Sequence, residues 1–185
     1  MAKDRSAHEA ARGAKMVAIS DLSKQRPTGT QLTAYPSLLL AETDRGAALM
    51  AGALVENTLE LAIRAMIVNP GDLTGKSWFE GPNAPFSSFS AKITLGRAIG
   101  IYGASMGARL GIIKDIRNAF AHSSIPLDFA HPTIHRLVLK LVPSPERVAD
   151  RPAKLAFGAA CLALSRVLAN FAGQHGGKEI TVHFP

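Results

Sequence analysis

Arg117, Asn118 and His122 are the side chains in this sequence whose types and spacing best suit a reaction. An arginine can hold a phosphate through two parallel hydrogen bonds, a histidine can transfer protons near neutral pH, and an asparagine can orient either group. Such a set would suffice for metal-independent cleavage of RNA through its own 2′-hydroxyl. A structural interpretation stands beside this one: Arg117 forms an ion pair within the fold, and His122 stabilises the negative end of a helix.

The segment that carries these residues, 107–122, is predicted to be an amphipathic helix. Its apolar residues have the three-to-four-residue spacing of a buried stripe: Ile112, Ile113, Ile116 and Phe120. At about 100° per residue, Arg117 and His122 lie about 140° apart and border one polar face, which also carries Asp115. One copy of this face is incomplete as a site. We therefore expect a homodimer in which two such helices meet about a two-fold axis.

Glu56, Glu60 and Arg64 follow one another at four-residue spacing in the apolar segment upstream. The favoured interpretation is a solvated stripe of ion pairs, each contributing a few tenths of a kcal/mol. In the alternative interpretation, Glu56 or Glu60 faces the surface that carries Arg117 and His122 and supports it.

Other sites with recognisable chemistry are not indicated. His131 and His135 have a spacing that suits metal ligands, but His131 precedes Pro132, and no Cys or Glu completes a set nearby. Incidental surface histidines are therefore favoured, and no metal or cofactor is expected. No glycine pattern follows a strand and precedes a helix, which argues against a P-loop or a dinucleotide fold. Residues 95–110 have the outline of a helix-turn-helix, yet the recognition helix would be the one with the Ile and Phe stripe, which is typical of core.

Composition indicates a globular protein with a basic surface. The chain has 185 residues, 47% of them hydrophobic, and Lys plus Arg exceed Asp plus Glu by 21 to 14. This charge makes nucleic acid a reasonable partner, and a regulatory protein is the alternative partner. The single cysteine, Cys161, lies in an apolar run and is expected to be a small buried hydrophobe.

A cytoplasmic location is expected from the same features. The N-terminal residues lack the apolar core of a signal peptide. The most apolar long run, 47–68, is interrupted by Glu56, Glu60 and Arg64, so we predict no membrane span and no membrane partner.

The predicted fold is all-α: a single-domain bundle of five or six helices with a long N-terminal helix. A flexible basic arm at 1–35 would comprise a short helix at 4–18 and a polar linker at 19–35. The helical domain would cover 36–173 and the tail 174–185, whose end alternates like an unpaired strand. The predicted helices are Ser37–Val68 with Ser37 as N-cap, Ser88–Ile101, about Ala104–His122, Pro132–Leu141 and Ala153–Ala172.

Three stretches resemble the mannitol operon repressor family. The first begins with Phe-Ser-Ser-Phe-Ser-Ala-Lys-Ile at 86–93 and continues through Ile-Lys-Asp-Ile-Arg-Asn-Ala-Phe-Ala-His-Ser at 113–123. The second is Glu-Thr-Asp-Arg-Gly at 42–46. The third is Leu-Asp-Phe-x-x-Pro-x-Ile at 127–134. The similarity covers about residues 37–136. It implies an all-helical regulator that represses a sugar-alcohol operon without a standard DNA-binding motif.

The pattern Arg-Asn-x-x-x-His at 117–122 also resembles the signature of HEPN domains, helical bundles that include dimeric ribonucleases. This resemblance implies that Arg117 and His122 take the catalytic positions and Asn118 the polar position after the arginine. From their positions in the sequence, Asp115, Glu56 and Glu60 are the candidate supporting polar residues. The leading hypothesis is a repressor-type transcriptional regulator. The alternative is a metal-independent HEPN-type endoribonuclease.

Overall fold

The computed structural model of the chain describes residues 29–67, 76–79, 83–142 and 152–176. These residues form helices, turns and loops without a strand, which confirms the all-α prediction. Six helices have eight residues or more, and one is a single turn: α1 Gly29–Ala41, α2 Asp44–Met66, the short α3 Lys76–Phe79, α4 Phe89–Ala98, α5 Ala104–His122, α6 Pro132–Leu139 and α7 Ala153–His175. The predicted helix at 4–18 and the strand-like end of the tail lie outside the described residues.

The prediction of one continuous helix from Ser37 to Val68 is wrong, because the chain folds back between α1, which ends at Ala41, and α2, which begins at Asp44. Thr43 caps α2: its hydroxyl accepts a hydrogen bond from the Gly46 amide at 3.0 Å. The Tyr35 hydroxyl donates to the Met50 carbonyl at 2.9 Å, which holds α1 against α2. Ser37 therefore lies inside α1, and the predicted linker at 19–35 ends earlier because that helix begins at Gly29.

The two longest helices, α2 and α7, form the most extensive helix pair of the fold. Their N-terminal ends lie together, since Lys154 Nζ is 3.2 Å from Asp44 Oδ1. Cys161 of α7 is fully buried beside this core, as predicted, and burial raises the pKa of its thiol. Phe129, in the loop before α6, closes one end of the core by packing against Phe120 and Phe157 at centroid distances of 4.8 and 5.4 Å.

Both helices of this pair are long and apolar enough to cross a membrane by length and composition, with mean hydropathies of 1.3 and 1.6. Core helices of folded domains satisfy the same criterion, and 61% of the apolar stretch of α2 and 44% of that of α7 are buried inside the fold. Packing thus accounts for most of that apolar stretch in α2 and for less than half of it in α7.

α4 and α5 begin close to where the sequence places them. Ser88 is the N-cap of α4, and its hydroxyl accepts from the Ala91 amide at 3.1 Å, which confirms the predicted start. In α5 the buried stripe is Leu110, Ile113, Ile116 and Phe120. Ile112 is only partly buried, so the predicted stripe included one residue from its edge.

α6 and α7 deviate from prediction mainly at their C-terminal ends. Pro132 is the first residue of α6, as predicted, and His131 precedes it as N-cap, accepting from the Thr133 amide through Nδ1 at 3.3 Å. α7 continues past Ala172 to His175, which the sequence assigned to the tail without a partner. The His175 ring stacks on Phe171 at 4.0 Å, and its Nδ1 lies 2.9 Å from the Phe171 carbonyl oxygen.

Gly52 allows α2 and α5 to approach closely. A Cβ atom at this position would lie 2.9 Å from Arg117 Cβ and 2.7 Å from Arg117 Cγ, closer than van der Waals contact permits. Arg117 Cβ is fixed by the backbone of α5, so relief would require the two helices to move apart. The missing side chain of Gly52 therefore lets Arg117 lie against α2.

We expect Gly52→Ala to destabilise the fold by about 1–3 kcal/mol, because the added methyl group forces α2 and α5 apart. Gly111→Ala is the matched control, since it also adds a methyl group inside a helix but nothing lies within 4 Å of that position. It should be neutral or stabilise α5 by roughly 0.5–1 kcal/mol. Urea unfolding measures both, and equal effects of the two substitutions would contradict the close approach.

Candidate functional site

Arg117 is engaged within its own chain. Its side chain is 31% exposed, and Nη2 lies 3.0 Å from Glu56 Oε2. Its other terminal nitrogen, Nη1, donates to Asn118 Oδ1 at 2.9 Å. The structure thus joins Arg117 to Glu56 of α2, as one of the two interpretations of the glutamate spacing anticipated. The favoured interpretation, a solvated stripe of ion pairs, is wrong for Glu56, which is buried, although its Glu60–Arg64 pair is formed.

Lys92 of α4 is the buried centre of this arrangement. Its side chain is only 6% exposed, and Nζ lies 3.1 Å from Glu56 Oε1 and 2.9 Å from Glu60 Oε2. An ammonium ion removed from water loses several kcal/mol of hydration unless charged or polar groups replace it. The two carboxylates supply that replacement, so Lys92 ties α4 to α2 at the point where α2 also meets α5.

Glu60 ends the arrangement on the side away from Arg117. Its second oxygen, Oε1, accepts from Arg64 Nε at 2.9 Å and lies 2.8 Å from Arg64 Nη2. The Arg64 guanidinium carbon lies 4.3 Å from the ring centroid of Phe79, so the cation also contacts an aromatic face. The charge network therefore alternates in sign, in the order Arg117, Glu56, Lys92, Glu60 and Arg64.

The network lowers the pKa of the Glu60 carboxyl below its ordinary value of 4.5. Burial alone would raise it, because desolvation disfavours the charged form. Hydrogen bonding and charge attraction from Lys92, followed by those from Arg64, outweigh the burial effect. The charged form of Glu60 is thus the one that the fold stabilises.

His122 occupies a different environment from Arg117. It is exposed in the last turn of α5, and no hydrogen bond or ion pair to it is formed by any residue that the structure describes. Asn118, one turn earlier, is half-buried through its contact with Arg117. Asp115 is exposed and lies 3.0 Å from Lys114 Nζ, so its carboxylate does not join the network.

The arrangement restricts what Arg117 can do chemically. Two of the five N–H groups of its guanidinium already donate to oxygen atoms of the same chain, so only the remaining three are open to a phosphate. His122, at the other border of the polar face, is open to solvent or to a partner. The structure therefore brings Arg117, Glu56 and Asn118 together and leaves His122 outside their contacts.

Lys92 is the member of this charge network that was not predicted from the sequence. Its signal is present in the sequence: Phe89, Lys92 and Gly96 are the buried residues of α4, and their spacing of three and four is that of one helix face. A lysine within a core-spaced stripe indicates a buried cation that requires acidic partners. Glu56 and Glu60, also four residues apart, are those partners.

His131 and His135 do not form a metal site in the part of the chain that the structure describes. No group of three or more His, Cys, Asp or Glu side chains capable of holding a metal ion occurs among those residues. His131 instead caps α6.

Comparison with known proteins does not assign the chain to a family. No family model matches it, no curated protein matches it, and no solved structure matches it.

Removing the positive charge of Lys92 should destabilise the fold. We expect Lys92→Met to lower the free energy of unfolding by about 3–5 kcal/mol, because the buried Glu56 carboxylate and the half-buried Glu60 carboxylate then lose their shared partner. Lys114→Met is the control, since it removes the same charge from a more exposed pair with Asp115 and should change stability by less than about 1 kcal/mol. Chemical denaturation of both variants measures the difference, and similar small losses would show that the network contributes little.

The lowered pKa of Glu60 predicts acid sensitivity with a defined sign. A carboxyl whose pKa is depressed in the folded state contributes stability that is complete above its ordinary value of 4.5 and is lost as pH falls through the lower folded value. The stability difference between wild type and Glu60→Gln should therefore be largest near neutral pH and shrink below about pH 4.5. Urea titrations between pH 7 and 3 measure it, and a difference independent of pH would refute this assignment.

Proposed function

We propose that this chain is a transcriptional regulator of the repressor type that acts through protein or nucleic-acid contacts without catalysis. The observation that carries the proposal is the engagement of Arg117 by Glu56 and Asn118 within one chain. An arginine held in this way suits a structural ion pair better than the grip on a scissile phosphate. The excess of 21 basic over 14 acidic residues supports contact with a polyanion.

The resemblance to the mannitol operon repressor family suggests a sugar-alcohol operon as the target. On the same basis we propose a cytoplasmic homodimer that needs no cofactor and has no membrane partner. Its two copies would pair through the polar face of α5, where Asp115 and His122 are exposed.

A HEPN-type ribonuclease is the second candidate, because one observation favours it. His122 is exposed one turn from Asn118, and Asn118 contacts Arg117, so all three residues border one face of α5. In such a site Arg117 would hold an RNA phosphate through its remaining N–H groups, with His122 as the proton-transfer group.

Incubation of the purified protein with labelled RNA in EDTA separates the two candidates. We expect no cleavage above background for wild type, and therefore no change in His122→Ala. His135→Ala is the matched control, since that histidine is also exposed but lies on α6. Cleavage that disappears in His122→Ala and persists in His135→Ala, with both variants folded, would establish the ribonuclease instead.

A second measurement addresses repression itself. We expect salt-dependent binding to duplex DNA from the control region of the target operon and weaker binding to unrelated duplex. In a reporter assay, transcription from that region should fall when the protein is present. An unchanged reporter would contradict the repressor function.

A further inference from the structure

Basic side chains remain without acidic partners on one helix face, although most acidic groups of the described residues are already engaged. Glu56 and Glu60 belong to the charge network, and Asp44 lies 3.2 Å from Lys154 Nζ. Asp115 lies 3.0 Å from Lys114 Nζ, and Asp128 accepts from the His131 amide. Among the residues that the structure describes, uncompensated positive charge therefore lies on basic groups outside these contacts.

Two of these basic groups lie on the outer face of α6 and at its C-cap. Arg136 and Lys140 are exposed there, and neither makes a hydrogen bond or ion pair with another residue that the structure describes. The stretch 129–142 contains no acidic residue. Ile134 and Val138 point the opposite way and are buried, so the core fixes which face of α6 turns outward.

We propose that this basic face, formed by Arg136 and Lys140, binds the phosphate backbone of a nucleic-acid duplex. The inference rests on the proposed function and names the surface through which the regulator would contact nucleic acid. Arg136 and Lys140 are four residues apart, which is a rise of about 6 Å along the helix. Successive phosphates of one strand advance about 3.4 Å along a duplex, so the two cations match a span of roughly two phosphates.

A duplex fits this face better than a membrane does. A helix that binds a bilayer surface presents large apolar side chains to it. Ile134 and Val138 of α6 are buried in the core, Leu137 and Leu139 are half-buried, and no large apolar residue of this helix is fully exposed. The face offers charge without an apolar anchor, which suits a phosphate backbone.

The basic face also fits better than the helix-turn-helix outline at 95–110. The helix that would read bases there is α5, and its residues Leu110, Ile113 and Ile116 are fully buried. Arg117 of the same helix is directed at Glu56. An interaction through α6 leaves these contacts intact.

The test compares two pairs of substitutions that remove the same charge. Arg136→Gln with Lys140→Gln removes the basic face, and Arg97→Gln with Arg166→Gln removes two exposed basic residues from α4 and α7. Affinities for duplex DNA, duplex RNA and acidic phosphatidylserine vesicles are measured from 50 to 300 mM salt. For the bound duplex, the slope of log affinity against log salt should fall by up to about 1.8 in the first pair, at about 0.9 per lost phosphate contact.

The possible outcomes distinguish failure of the proposed basic face from failure of the proposed regulatory function. Equal slopes for both pairs would overturn the basic face while leaving the regulator intact, as would binding by wild type to vesicles alone. Absence of salt-dependent duplex binding in wild type would also overturn it. The reporter assay identifies failure of the proposed function independently: a reporter that wild type represses, with no effect of the first pair, rejects only the surface.

Discussion

The fold depends on one buried ammonium group placed between two carboxylates. Lys92 lies within 3.1 Å of Glu56 and 2.9 Å of Glu60, and these two residues in turn engage Arg117 and Arg64. Each oxygen of the two glutamates has a cation, so the desolvation of the charges is offset by contacts on both sides. Three helices meet at this point, which makes their relative placement sensitive to each member of the network.

The meeting of three helices at this charge network gives the Arg-Asn-x-x-x-His motif at 117–122 a structural role. Gly52 permits close approach of α2 to α5, and Glu56 then holds Arg117 against α2. His122, five residues later, is exposed because the same helix turns it away from the core. A sequence motif that suggests phosphate chemistry is thus divided between a half-buried ion pair and an exposed histidine. That division favours regulation over catalysis in our proposal.

Helices with strong local signals could be predicted from the sequence. Ser88 starts α4 as an N-cap, Pro132 starts α6, and the stripe that includes Ile113, Ile116 and Phe120 is buried. The break between α1 and α2 could not be predicted, because Ala41 to Asp44 contain neither glycine nor proline. A weak capping signal at Thr43 decides it together with contacts made by residues distant in sequence, such as Lys154 on Asp44.

The sequence by itself determined the helical class, the starts of α4 to α7 and the set of ionisable residues, since these follow from local preference and periodicity. Only the tertiary structure decided which charges meet. Glu56 and Glu60 have the spacing of a solvated stripe, and their burial became evident only with Lys92, 36 residues after Glu56, between them. The physical reason is that an ion pair between separate helices depends on how those helices pack, and packing is set by the whole core.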